Sequence, residues 1–178
     1  MKIGLVRHFK VDYPHQKKIM NSEDFRRSMD LYDSSPVIIR QSGISPEDWD
    51  ICFTSTMPRA VTTAGEIYSG VIVETDDIRE VQMYPYFETR MKFPSLVWRV
   101  LARMGWYKSH PSQAESLTST NERIDAFYRR ILSEGKKNIL VVTHGFFMRL
   151  LAERLKKEGF NGRYDTIPRN GALYIFKK

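Results

Sequence analysis

The chain predicts an α/β fold, a three-layer αβα sandwich with a mostly parallel central sheet. Three observations lead there. Apolar β-runs alternate with segments of helical periodicity along the sequence, the pattern of parallel strands joined by crossover helices. Two of those runs, within 2–7 and 138–143, read as buried strands, and each ends on a histidine. The length, 178 residues, suits one domain able to bury roughly two-thirds of its unfolded surface.

Residues 2–7 open the chain as a strand, followed by a polar stretch to about Ser22 and a helix near 23–32. Residues 50–54 form the next strand. A helix then begins near Met57 with Pro58 in its first turn, where the missing N–H costs nothing. Its apolar set is Ala60, Val61, Ala64, Ile67 and Tyr68. Val71, Ile72 and Val73 make a short third strand. Residues 93–107 carry Val97, Val100, Leu101 and Met104 at helical spacing, which predicts an amphipathic helix packed on the core. Ser112 with Glu115 three residues on reads as a capping box for a helix with core positions Leu117, Ile124, Phe127, Tyr128 and Ile131, stopped by Gly135. Strand 138–143 follows, then a helix from Gly145 to Gly159 that buries Phe147, Leu150, Leu151 and Leu155. Residues 172–176 close the chain as a strand. No repeat or linker divides the sequence, so the expected organisation is one domain over 1–178, with a helical insertion or lid around 82–112.

Composition excludes several classes. No run of eighteen apolar residues is present, which counts against a membrane span. There is no basic segment followed by an apolar stretch and a small-residue cleavage site, and the lone cysteine, Cys52, sits in a strand. A reducing cytoplasm and an inert, buried thiol are expected. Net charge is +7 with the basic residues scattered, which favours a phosphorylated small molecule or phosphoprotein as partner, not nucleic acid or a membrane. Oligomeric state is left open.

The chemistry lies at strand ends, where open α/β sheets bind ligands. Arg7-His8 follows the first strand. A histidine there is presented at the sheet edge, and the planar fork of Arg7 suits phosphate oxygens. Arg59 falls in the first turn of the helix after the second strand, where backbone N–H groups already attract an anion. Thr143-His144-Gly145 repeats the arrangement, with Gly145 allowing close approach to the backbone. Two imidazoles, two guanidinium groups and two helix N-termini are therefore expected around one crevice.

These stretches resemble the histidine phosphatase superfamily, which includes the cofactor-dependent phosphoglycerate mutases. Leu5-Val6-Arg7-His8 looks like its Arg-His-Gly motif, Thr54-Ser55 through Arg59-Ala60 with Thr63-Ala64 like its Thr-Ser-Pro-x-x-Arg-Ala-x-x-Thr-Ala segment, and Val141 to Gly145 like its second histidine motif. The resemblance implies that His8 attacks phosphorus and becomes a phosphohistidine. It also implies that Arg7, Arg59 and His144 bind the phosphoryl oxygens and stabilise charge in the transition state. The family's proton donor is a carboxylate after the third strand, a position that Glu80 matches here, with Asp76, Asp77 and Glu88 as rivals. No cofactor and no metal is implied.

The sequence departs from the pattern at Phe9, where the family has glycine, and through Lys10, Val11, Asp12, Tyr13, Pro14 and His15. Phe9 either reshapes the backbone or turns its ring into the substrate pocket. These differences weigh against a mutase. A cysteine phosphatase would need Cys and Arg separated by five residues, whereas six separate Cys52 from Arg59. No Gly-x-x-x-x-Gly-Lys loop and no paired histidine spacing for zinc occurs. The expected activity is phosphomonoester hydrolysis. A mutase acting on a small metabolite and a catalytically weak phospholigand-binding module stand as alternatives.

Overall fold

The structure, a computed structural model, describes residues 1–13 and 17–178. Pro14, His15 and Gln16, part of the divergent stretch after His8, lie outside the described residues. In chain order the elements are β1 (Lys2–Arg7), β2 (Ile19–Met20), α1 (Ser22–Ser34), β3 (Ile51–Ser55), α2 (Pro58–Ile67), β4 (Ile72–Thr75), β5 (Phe93–Pro94), α3 (Ser95–Tyr107), α4 (Leu117–Ser133), β6 (Asn138–Thr143), α5 (Gly145–Lys157), β7 (Asn161–Gly162) and β8 (Leu173–Lys177). The chain separates into two compact units. One comprises Met1–Val11, Pro36–Glu80 and Arg123–Lys178, the other Asp12–Ser35 and Val81–Glu122.

The first unit is built on a six-stranded sheet in the order β4-β3-β6-β1-β8-β7. Strands β4, β3, β6 and β1 run parallel, while β8 is antiparallel to β1 and β7 to β8. This is the mostly parallel sheet flanked by helices that the alternation predicts. Because side chains alternate across a strand, neighbours on β3 serve opposite faces. Cys52 joins Val6, Leu140 and Val142 against Ala60, Ala64 and Ile67 of α2. Phe53 meets the ring of Phe127 edge-on from the other side, with centroids 5.6 Å apart. Burial pushes the Cys52 thiol up to about 12, so it is an inert packing group.

In the second unit, β2 pairs antiparallel with β5 beside α1 and α3. Met20, Phe25 and Trp98 form its core, with Phe25 and Trp98 stacked at 5.9 Å. The Trp98 indole donates to the Met20 carbonyl at 2.8 Å, so its one polar atom is satisfied inside the core.

Several expectations need correction. Helix α4 starts at Leu117 and is capped by a reciprocal pair: Ser116 Oγ accepts from Ser119 N (3.2 Å) and Ser119 Oγ from Ser116 N (2.9 Å). Ser112 instead engages His110 and Gln113, and Glu115 accepts from Thr120, so the Ser112–Glu115 box does not form. The third strand runs one residue later than expected, leaving Val71 exposed. Val61 and Leu150 are only half-buried. Helix α3 forms where expected, but with the other face inward: Trp98, Ala102, Gly105 and Trp106 are buried, while Val97, Val100 and Met104 are exposed and Leu101 is half-buried. The two large indoles outcompete the aliphatic stripe for the core.

Candidate active site

Register decides where the two histidines go. Strands β1 and β6 pair in parallel from Lys2 opposite Asn138 to Arg7 opposite Thr143. The next residue on each strand is therefore His8 or His144, and His8 N donates to Thr143 O at 2.9 Å. The ring centroids lie 5.1 Å apart at the carboxyl edge of the sheet. Both residues are buried, His8 at 2% exposure and His144 at 0%.

Each ring is oriented by its neighbours. His8 Nδ1 lies 2.7 Å from the Phe9 carbonyl oxygen, which can only accept, so Nδ1 carries the proton and Nε2 keeps its lone pair. The loop behind it is fixed: Phe9 N donates to Thr63 Oγ1 (2.9 Å), and Asn170 Nδ2 donates to His8 O (2.8 Å). His144 has the opposite tautomer. Arg59 Nε donates to its Nδ1 at 3.2 Å, and a guanidinium cannot accept, so the proton sits on Nε2 and is donated to Ser55 Oγ at 2.8 Å.

Two guanidinium groups surround this pair. Arg59 is buried, its charge carried on the first turn of α2. Arg7 donates through Nη1 to the Pro168 carbonyl at 2.8 Å, while its Nε is buried with no hydrogen-bond partner among the described residues. Gly145 makes room for Arg7: a Cβ there would lie 3.0 Å from Arg7 Nε and 3.1 Å from Cζ. The space expected for a ligand is thus taken by the arginine.

Burial and these cations hold the imidazoles neutral. His8 is pushed from 6.5 down to about 3, chiefly by burial and then by Arg59, with Arg7 adding and the Phe9 carbonyl opposing. His144 is driven well below the ordinary value by burial, then by Arg59, His8, Arg7 and Arg123. A neutral ring with a free lone pair between two permanent cations can attack an electrophile that carries negative oxygens.

Glu80 reaches the same edge. Its carboxylate accepts from Phe146 N (3.1 Å) and Phe147 N (3.0 Å), capping the first turn of α5 just after His144. The α5 N-terminus is therefore taken by this side chain. Arg123 braces the preceding turn by donating through Nη1 to the carbonyls of Asp77 (2.9 Å) and Arg79 (2.8 Å), and more weakly to Asp76 (3.4 Å). The rivals are engaged elsewhere: Asp76 with Thr56, Asp77 with Thr75, and Glu88 with Arg26. Phe9 lines a small pocket with Lys10, Arg40, Gln41, Ser42, Asn170 and Gly171. It is 3% exposed and packs in the α2-side core, close against Gly171, whose φ of +71° suits glycine. Lys10 is exposed.

The sequence matches the family model described as histidine phosphatase superfamily (branch 1) over residues 3–177. The chain belongs to that superfamily. Its fold recurs in solved structures at low identity. The α-ribazole phosphatase of Shigella flexneri matches with a TM-score of 0.58 at 18% identity, over 98% of this chain and 89% of that one. The phosphoserine phosphatase of Entamoeba histolytica, solved with 3-phosphoglyceric acid, matches with a TM-score of 0.56 at 15% identity, over 99% and 90%. No curated protein matches the sequence.

In this superfamily member, all six candidate residues, Arg7, His8, Arg59, Glu80, His144 and Gly145, lie at or beside the carboxyl ends of β1, β3 and β6. Ser55, Thr63, Asn170 and Arg123 were not singled out from sequence. Ser55 and Thr63 lie inside the superfamily-like segment and could have been found there. Asn170 stands in a stretch with no local pattern, and Arg123 lies within a helix whose pattern says nothing of what that side chain meets.

Proposed function

We propose that this chain is a phosphatase that hydrolyses a phosphomonoester through a phosphohistidine on His8. The observation that carries the reading is the His8 ring itself, buried, neutral and with Nε2 free, beside two arginines and a second imidazole. In the first step the Nε2 lone pair attacks phosphorus and the P–O bond to the leaving alcohol breaks. Arg7 and Arg59 neutralise the phosphoryl oxygens, and His144 donates to one of them once Nε2–H turns from Ser55. Glu80 gives the departing oxygen its proton. A water then gives up a proton to the Glu80 carboxylate as it attacks the phosphohistidine, the N–P bond breaks, orthophosphate leaves, and both the Glu80 acid and the Nε2 lone pair are restored. The permanent cations supply the charge neutralisation, so the steps are written without a metal.

The superfamily neighbours named above are phosphatases of small molecules, which supports a small phosphorylated substrate. The test is chemical trapping. Brief exposure to a labelled aryl phosphate should leave a phosphoenzyme stable in alkali and labile in acid, absent from His8→Ala. A phosphoenzyme that persists in His8→Ala would overturn the nucleophile.

A further inference from the structure

Helix α3 is apolar on both sides. Its inward side carries Trp98, Ala102, Gly105 and Trp106. Its outward side carries Leu96 (68% exposed), Val100 (51%), Met104 (42%) and Tyr107 (66%), joined at the amino end by Val97. These positions recur every three or four residues and form one ridge about 16 Å long at 1.5 Å per residue. Other exposed large apolar residues, such as Val71, Leu132 and Ile167, are far apart in sequence, and of these three only Leu132 lies on a helix. Solitary ones need no partner, whereas a continuous ridge does.

The charge around the ridge is one-sided. From residue 89 to residue 114 the chain holds Arg90, Lys92, Arg99, Arg103 and Lys108 and no carboxylate. Lys18 extends the set, because its carbonyl accepts from Ser95 N at 2.8 Å at the start of α3. Arg90, Lys92, Lys108 and Lys18 are all exposed. Along α3 a second copy would bring cation against cation, and the acids flanking the set, Asp24 and Glu88, are already paired with Lys17 and Arg26. An exposed apolar ridge flanked by the exposed cations Lys18, Arg90, Lys92 and Lys108 fits an anionic lipid bilayer, which shapes itself around the ridge while its headgroups meet the cations.

We propose that the outer face of α3 docks this protein on anionic membrane surfaces. The contact is peripheral, since no helix among the described residues is long and apolar enough to cross a membrane. It revises the sequence expectation of no membrane partner, which rested on the missing span and on the scattered, modest basic charge.

The test is co-sedimentation of the full chain with vesicles of phosphatidylcholine, alone or mixed with phosphatidylserine. The mixed vesicles should capture the protein and the neutral ones should not. Leu96→Asp with Val100→Asp should abolish capture, and Lys18→Glu with Lys108→Glu should lower it by about tenfold or more. All four side chains are exposed, so both variants should keep the wild-type unfolding midpoint. Failure to bind mixed vesicles, or equal binding by wild type and both variants, overturns the proposal. So does a wild-type dimer in solution that Leu96→Asp with Val100→Asp disperses, which would give the ridge to a second copy.

Discussion

Arg59 donates through Nε to Nδ1 of His144 at 3.2 Å, and that one contact fixes which nitrogen of His144 carries the proton. With Nδ1 occupied as an acceptor, Nε2–H becomes the group His144 can offer, and Ser55 takes it. A residue proposed to hold a phosphoryl oxygen is thereby kept as a donor at neutral pH, although burial keeps it uncharged.

Arg59→Met removes both the orienting bond and a guanidinium from the site. Turnover of an aryl phosphate should fall roughly 10²- to 10³-fold, the scale for losing one preorganised donor to a developing oxyanion. Nitrogen-15 spectra should show the wild-type His144 as the Nε2–H tautomer and a mixture in the variant. A wild-type ring protonated on Nδ1 would contradict the assignment.

The neutral imidazoles have a thermodynamic consequence. His8 titrates at about 3 in the folded chain and near 6.5 when unfolded. Between those values the unfolded chain binds a proton that the folded chain refuses. The contribution to stability is complete above pH 6.5 and is lost as pH falls toward 3, at up to about 1.4 kcal/mol per pH unit. Urea midpoints should drop across that window, and His8→Gln should drop less steeply. Comparing the two proteins cancels acidic groups such as Asp50, whose lowered carboxyl acts in the same direction. Parallel curves for wild type and variant would refute a buried neutral His8.

Gly145→Ala separates folding from function. The new methyl would stand 3.0 Å from Arg7 Nε, and Arg7 is tethered at its other end to Pro168. Alanine is the better residue in a helix by about 1 kcal/mol, so thermal stability should hold or rise. Displacing the guanidinium by a few tenths of an ångström should still cost about tenfold in kcat/KM. Full activity in a stable Gly145→Ala would show that Arg7 has slack.

The legibility of this site follows from how local each signal is. His8 and His144 were readable because an apolar run fixes a strand, and a parallel register then aligns whatever comes next on neighbouring strands. Arg59 was readable because Pro58 marks the helix start beside it. Arg123 was not, since its role depends on three carbonyls more than forty residues away, and a mid-helix arginine looks the same wherever it points. The inward face of α3 was misread for a related reason. Spacing reports that a stripe is apolar, but when both sides are apolar only the competition for volume chooses, and the indoles of Trp98 and Trp106 won. The start of α4 was lost to a better local cap, Ser116 with Ser119, four residues downstream of a plausible one.

The role proposed for Glu80 makes a prediction that includes Arg123. If Glu80 protonates the leaving oxygen, Glu80→Gln should barely affect an activated ester such as a nitrophenyl phosphate. It should slow an alkyl phosphate by roughly 10²- to 10⁴-fold, because a poor leaving group depends on the acid. Arg123 holds the turn that carries Glu80 through the carbonyls of residues 76, 77 and 79, and its guanidinium lies 4.6 Å from the centre of the Phe147 ring, whose backbone N–H binds Glu80. Arg123→Leu should therefore show the same dependence on the leaving group in weaker form, and adding it to Glu80→Gln should cost little more than Glu80→Gln alone. Brønsted plots for the wild type, the two single variants and the double variant measure both points. A uniform loss across leaving groups in Glu80→Gln removes the acid. A uniform loss confined to Arg123→Leu leaves Glu80 in place and reduces Arg123 to a support of the fold.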